Sequence, residues 1–294
     1  MLATRISQLR ILVAGLIVVL VMPAAAWAAP AHGATRASGP GVSVKGGMLV
    51  DVGTGATLWG DDVNVPRPMG SITKVMAALV VLQAGDLDQE ITITKGAVKY
   101  ATFDWASSAG LIAGDKLTAQ ELLEAMLVQS GCDAAFALAW VYGPGRPAFI
   151  AKMNAEAARL GMTHTHFSWF DGMPYPTEYS TYSSPGDLVK LGEAAMRYPL
   201  FRQIVSQQQY FLPAGDGHHK YFWQQTNQLI GTYPGATGIK TGDTDAAGNC
   251  LLFEATRNGV TLIGAVLNAA PSRNPGSAID VTTRVLNWGF TQSA

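Results

Sequence analysis

"GATGIKTGDTDAAGNCLLFEATRNGVTLIGAVLNA", residues 235–269, reads as three strands joined by tight turns at "DTDAAGN" and "TRNG". Strands linked this closely run antiparallel, because a parallel return needs a crossover of a dozen residues or more. Far upstream, "GGMLVDVGTGATLW" at 46–59 reads as a hairpin: an apolar strand, a Gly-Thr-Gly turn and a second short strand. Between these two strand-rich ends the pattern is mostly helical. Residues 71–85 are apolar and stop at Gly85, and "EITITK" at 90–95 alternates as a single strand. From about 117 to 160 helices dominate, opened by Thr118 three residues ahead of Glu121, which is a capping box. Residues 161–184 are irregular and rich in aromatics, "SSPGDLVKLGEAAMRY" resumes as a helix, and a last helix covers about 276–289. The order excludes a doubly wound alternation of strands and helices. It predicts an α/β chain of the α+β type, with strands from both ends in one antiparallel sheet flanked by helices. A mostly helical subdomain is inserted between them.

The composition suits a sizeable core, with 48% hydrophobic and 14% charged residues among 294. The net charge is -1 and no basic run or basic-aromatic alternation occurs, so nucleic acid is not an expected partner. Arg5 and Arg10 precede an apolar stretch, "ILVAGLIVVLVM" at 11–22, that is short for a membrane span, and "AWA" at 26–28 offers small residues to signal peptidase. The expectation is a signal peptide over 1–28 cleaved after Ala28, a flexible Gly- and Pro-rich linker over 29–45 and a catalytic domain over 46–294. Such a protein is secreted and extracytoplasmic, with no stable membrane anchor once the signal is cut. Retention of the signal as an anchor is the alternative. Export favours cysteine pairing, but Cys132 and Cys250 alone form no disulfide framework.

Within "MGSITKVMAALVVLQAG", residues 69–85, Ser71 and Lys74 stand three apart and share a helix face. A serine needs an acceptor for its proton before it becomes a nucleophile, and a neutral amine within hydrogen-bond reach can take it. Backbone N–H groups left free at a helix start can also stabilise an oxyanion. Taken alone, the pair reads first as a capping serine and a surface lysine. Two further sites change this. "VQSGCDAA" at 128–135 puts Ser130 and Cys132 at a helix junction, and Lys240, Thr241 and Gly242 lie at the end of a probable strand. Lys240 and Thr241 suit a substrate carboxylate. Gly242 would let a substrate backbone approach the strand edge and pair with it.

The ordered set S-x-x-K, S-x-x and K-T-G is that of penicillin-binding proteins and class A β-lactamases. The chain resembles the D-alanyl-D-alanine carboxypeptidases of the low-molecular-weight penicillin-binding class over about 46–290. The stretches that carry this are "LVDVGTGATLW", "MGSITKVMAALV", "LLEAMLVQSGCDAA", "FIAKMNAEAARLGMTHTHF", "YSSPGDLVKL", "GIKTGDTDAAGNCLLFEA" and "VLNWGF". The resemblance implies the serine β-lactamase/DD-peptidase fold, with Ser71 acylated, Lys74 as general base and Ser130 relaying a proton to the leaving D-alanine. Lys240, Thr241, Gly242, Asp243 and Cys132 would bind substrate, with the Ser71 and Asp243 N–H groups as oxyanion hole. The substrate would be a peptidoglycan stem peptide, with β-lactams as acylating inhibitors and no cofactor or metal. Two features depart from the family: Cys132 stands where Asn is usual, and Ala278, ahead of Asp280, stands where an arginine is common. Arg273 in the same loop is another source of a guanidinium. The His164/His166 and His218/His219 pairs lack further ligands at metal spacing. The aromatics of "FSWF" and "YFW" are expected in the core or at a cleft rim, and Glu178 is the one candidate for a deacylating carboxylate. The alternatives are a β-lactamase-like serine hydrolase and a penicillin- or muropeptide-binding protein with little turnover.

Overall fold

From the N-terminal side the elements are β1 (Gly46–Asp51), β2 (Thr57–Asp61), a 3₁₀ turn (Gly70–Ile72), α1 (Thr73–Ala84), β3 (Glu90–Thr92) and α2 (Lys95–Tyr100). Then come β4 (Lys116–Thr118), α3 (Ala119–Leu127), α4 (Cys132–Tyr142), α5 (Arg146–Arg159), α6 (Pro185–Ala195) and α7 (Pro199–Ser206). The chain closes with β5 (Gln209–Leu212), β6 (Tyr221–Gln224), β7 (Ala236–Thr244), β8 (Gly248–Arg257), β9 (Val260–Leu267) and α8 (Pro275–Gln292). This computed structural model describes residues 39–293 except 104, 105, 216 and 271–274. The expected signal segment and Arg273 lie outside the described residues.

The main sheet has the order β2-β1-β9-β8-β7. Every neighbouring pair is antiparallel, so strands from the two ends of the chain do meet, at β1 against β9. Side chains alternate across the sheet with period two. Leu49, Leu251, Phe253, Leu262 and Val266 point to one face and pack with Val285 and Leu286 of α8. Their neighbours Val50, Leu252, Ile263 and Ala265 point to the other and join the larger core shared with α1, α3, α4 and α6.

Helix α1 is the axle of that larger core. Every residue from Thr73 to Leu82 is buried, which is why the stretch is apolar on all sides rather than along one stripe. Gly85 ends it in a positive-φ conformation that a side chain would oppose. The capping box at Thr118–Glu121 is formed in both directions and starts α3.

Several expectations need correction. Residues 39–45 are not a free linker. The Lys45 N–H donates to the Leu267 carbonyl, Arg284 donates to the Gly41 carbonyl, and Val42 and Val44 pack on the second core. The strand expected at 90–95 is only three residues long, because the Thr94 side chain turns to cap α2. Helices α2 and α7 and the β5–β6 ribbon were not expected at all. In that ribbon Tyr221 and Trp223 face inward, but Phe222 is exposed opposite Phe211.

Candidate active site

Ser71 sits in the 3₁₀ turn, not in the α-helix proper, and Lys74 follows in the first turn of α1. The spacing of three still brings them together: Lys74 Nζ is 2.9 Å from Ser71 Oγ. The amine is fully buried and also donates to the Asp171 carbonyl at 3.0 Å and to Cys132 Sγ at 3.4 Å. Three acceptors from three separate segments therefore aim one amine at one hydroxyl. The capping reading of Ser71 fails, since no side-chain cap bond forms at this helix start.

The turn is wedged from two sides. A Cβ on Gly172 would lie 2.0 Å from the Gly70 carbonyl oxygen and 3.0 Å from the Ser71 nitrogen. A Cβ on Gly242 would lie 2.0 Å from the Met69 carbonyl oxygen. The glycine of the K-T-G run is thus required by the contact between β7 and the serine turn. The reason given by the sequence, close approach of a substrate backbone, is not the one the structure imposes. The same contact carries the Asp243 nitrogen close to the serine turn, 2.7 Å from where a Gly70 Cβ would stand. The N–H groups of Ser71 and Asp243 therefore come from two adjacent backbone segments.

Ser130 and Cys132 lie on the turn between α3 and α4. Ser130 has φ of 65°, a left-handed conformation that is costly for a residue with a side chain. Neighbouring groups hold it there: the Ser107 hydroxyl donates to the Ser130 carbonyl at 2.6 Å, and the Cys132 N–H donates to the Ser107 carbonyl at 2.7 Å. The buried Asp133 carboxylate accepts from Ser108, from the Ala109 N–H and from the Leu111 N–H, tying the 107–111 segment to the start of α4. The Ser130 side chain makes no hydrogen bond to Ser71, Lys74 or Lys240. Cys132 and Cys250 are both free and buried. Burial, then the nearby Asp171 charge, push the Cys132 thiol up to about 12. It is therefore a neutral S–H that accepts from Lys74 and lies 4.0 Å from the Ser107 hydroxyl.

On the opposite wall, β7 is the edge strand and presents Lys240, Thr241 and Asp243. Lys240 is fully buried and reaches the Thr241 carbonyl at 3.2 Å, Thr241 Oγ1 at 3.3 Å and Thr226 Oγ1 at 3.4 Å. The two threonine hydroxyls bond each other at 2.8 Å. Burial, and then the charge of Lys74, hold the Lys240 amine well below the ordinary lysine range.

Sequence reasoning missed Thr226 and Asp171. No motif marks Thr226, and it joins Lys240 only through tertiary pairing. Asp171 is fully buried, with Tyr100 donating to its carboxylate at 3.0 Å and the Met173 N–H at 3.0 Å. Its signal was present but unread: an acidic residue beside a glycine inside an aromatic segment, "FSWFDG". Glu178 is exposed and hydrogen-bonds neither Ser71 nor Lys74. Ala278 is buried in the second core, on α8, and lines no cleft.

Known proteins resemble this chain over most of its length. Residues 33–271 match the D-alanyl-D-alanine carboxypeptidase family of peptidases. A D-alanyl-D-alanine carboxypeptidase of a Streptomyces species is 40% identical over 269 residues, covering 87% of this chain and 90% of the relative. One from Mycobacterium tuberculosis is 34% identical over 243 residues, covering 83% and 81%. Among solved structures, a Streptomyces DD-transpeptidase superposes with a TM-score of 0.80 at 38% identity, covering 86% of this chain and 99% of that one. A D-alanyl-D-alanine carboxypeptidase from Mycobacterium tuberculosis superposes with a TM-score of 0.78 at 33% identity, covering 88% and 95%.

Proposed function

Because the chain belongs to the D-alanyl-D-alanine carboxypeptidase family, a family of serine peptidases, we propose that it cleaves the terminal D-alanine from peptidoglycan stem pentapeptides through an acyl-enzyme on Ser71. The observation that carries this is the buried Lys74 amine 2.9 Å from the Ser71 hydroxyl. Ser71 Oγ attacks the carbonyl of the penultimate D-alanine, and its proton passes to the Lys74 amine as general base. The N–H groups of Ser71 and Asp243 stabilise the developing oxyanion. Collapse breaks the C–N bond, and Ser130 delivers the proton that the departing D-alanine nitrogen needs. The carboxylate of that D-alanine lies against Thr241 and Lys240 and restores the charge on Lys240 that burial disfavours. Cys132 holds the substrate amide and Lys74, and the open edge of β7 pairs with the substrate backbone.

Water then opens the ester. A second reading, transfer of the acyl group to an amine, is favoured by one observation. Among the described residues no carboxylate side chain hydrogen-bonds Ser71, and Asp171 turns its own toward Tyr100 and Met173. Without a dedicated deacylating base the ester persists, and an amine competes with water. The same feature argues against a β-lactamase, because the penicilloyl ester would be long-lived, and for β-lactams as inhibitors. An extracytoplasmic setting follows from the substrate and from the signal reading of residues 1–28. No helix among the described residues is long and apolar enough to cross a membrane. Mass analysis of the exported protein tests cleavage after Ala28.

The deciding experiment is covalent labelling with fluorescent penicillin beside D-alanine release from a D-Ala-D-Ala peptide, with and without an added amine. Labelling and release should both vanish in Ser71→Ala while the fold persists. Fast turnover of penicillin, or labelling that survives in Ser71→Ala, overturns the reading.

A further inference from the structure

Helix α4 carries Cys132, Phe136 and Trp140 at intervals of four, so the three share one stripe. Its inner end touches Lys74 through Cys132, which is 1% exposed, and its outer end is Trp140, 43% exposed. Phe136 stacks on Trp140 with ring centroids 3.9 Å apart. Beside them lies a cavity of about 480 Å³ walled by Phe103, Phe136, Trp140, Trp169, Tyr175 and Arg146. Its wall is tied to the serine turn through neighbouring residues. Gly172 packs on the Ser71 nitrogen, and the next residue, Met173, lines the cavity. Tyr100, another lining residue, bonds the side chain of Asp171, whose carbonyl holds Lys74.

Part of this wall is left uncovered by the fold. Phe103, Trp140 and Tyr175 are 55%, 43% and 53% exposed, and exposed aromatics gathered beside a catalytic centre mark a binding surface. One charge accompanies them. The Arg146 guanidinium lies 4.1 Å over the Trp169 ring and 5.9 Å from Tyr175, and among the described residues no carboxylate pairs with it. An arginine stacked flat on a ring keeps its N–H edge available for an anion. The other end of the cleft, at Lys240 and Thr241, is taken by the leaving residue, so the α4 side receives the acyl side.

We infer that this aromatic cavity is a subsite for the acyl donor upstream of the scissile bond, and that it selects a peptide segment bearing an aliphatic side chain and a free carboxylate, the carboxylate on Arg146 and the aliphatic part on Trp140 and Tyr175. The inference rests on the acyl-transfer reading above, and the test separates the two. Three donors share a D-Ala-D-Ala end: one N-acetylated with nothing upstream, one extended by an aliphatic residue and a glutamate, and the same with glutamine for glutamate. Their binding is measured at equilibrium on Ser71→Ala protein, and D-alanine release on wild-type enzyme. The glutamate donor should bind about tenfold tighter than the glutamine donor, about 1.4 kcal/mol. Adding Arg146→Gln should collapse that ratio to within twofold, and adding Trp140→Ala should weaken both extended donors alike. Equal binding of all three donors, or a glutamate preference that survives Arg146→Gln, overturns the subsite. Penicillin labelling of the wild-type protein reports on Ser71 by itself, so its absence would fall on the acyl-transfer reading and leave the binding result standing.

Discussion

Two lysines, Lys74 and Lys240, are each fully buried, and each hydrogen-bonds three acceptors, yet they are built for different work. Lys74 draws its acceptors from three separate segments, the shortest contact being the 2.9 Å bond to the Ser71 hydroxyl. Lys240 makes only longer contacts, 3.2–3.4 Å, to two threonines that also bond each other. The first amine is aimed at the hydroxyl whose proton moves in the proposed reaction. The second is parked among neutral oxygens in a place where its charge is disfavoured until an anion arrives. Burial alone does not define a catalytic lysine; the direction and chemistry of its acceptors do.

The comparison is broken most severely at Lys74. Lys74→Arg keeps a charge and hydrogen-bond donors, but it cannot deprotonate near neutral pH. The penicillin acylation rate should fall about 10²–10⁴-fold, the usual range for losing a general base. Stopped-flow or gel-based acylation kinetics measure this, and a loss under about tenfold, roughly 1.4 kcal/mol, would remove Lys74 from the base role.

At Lys240 the effects on activity and stability should have opposite signs. Lys240→Met deletes the charge-assisted bond to the substrate carboxylate, about 1.5–3 kcal/mol, so kcat/KM should drop roughly 10–100-fold. The folded protein should nevertheless gain stability at neutral pH, because a buried amine with a lowered pKa opposes folding. The folded-state value lies below the unfolded one, so the unfolded chain binds more protons in the window between them. Wild-type stability should therefore climb as pH rises from that lowered value toward the ordinary lysine range. The advantage of Lys240→Met should shrink over the same window. Denaturant melts of both proteins from neutral to alkaline pH test this, and a constant difference refutes it.

Asp171→Asn sharpens the contrast on the Lys74 side. It leaves the backbone carbonyl that Lys74 uses but weakens the bonds from Tyr100 and the Met173 N–H that hold this segment in place. Acylation should slow about threefold to tenfold, equivalent to one hydrogen bond of about 0.5–1.5 kcal/mol. Penicillin acylation kinetics measure this, and an unchanged rate would mean that the Asp171 carboxylate does not position the carbonyl that Lys74 uses.

The smallest effect is expected at Cys132→Asn. An amide donates and accepts more strongly than a thiol, and Lys74 and the Ser107 hydroxyl already stand beside this position. Turnover of a D-Ala-D-Ala peptide should rise roughly two- to tenfold, again about one hydrogen bond. A fall would mean that the site is packed around the smaller side chain. Inactivation by Cys132→Ser would mean that sulfur takes part in the chemistry.

Most of the architecture was legible before any coordinates. Period-two strands at both ends of the chain, helical patterns between them and the capping box at Thr118 are local signals, because backbone hydrogen bonding and burial impose them on neighbouring residues. The Ser71–Lys74 pair was legible for the same reason, since three residues along a helical turn bring two side chains together whatever surrounds them. Short elements such as α2 and β4 were obscured because a few residues carry too little period to separate a helix from a strand. The rest was decided by contacts between distant segments: Asp171 reaching Lys74 across 97 positions, Thr226 meeting Thr241, Gly242 pressed on the Met69 carbonyl, and the falling burial along α4 that opens an aromatic cavity. A linear pattern records how a residue relates to its own element. Which acceptor faces a buried amine, and how much its charge then costs, is set only when separate elements close around it and exclude water.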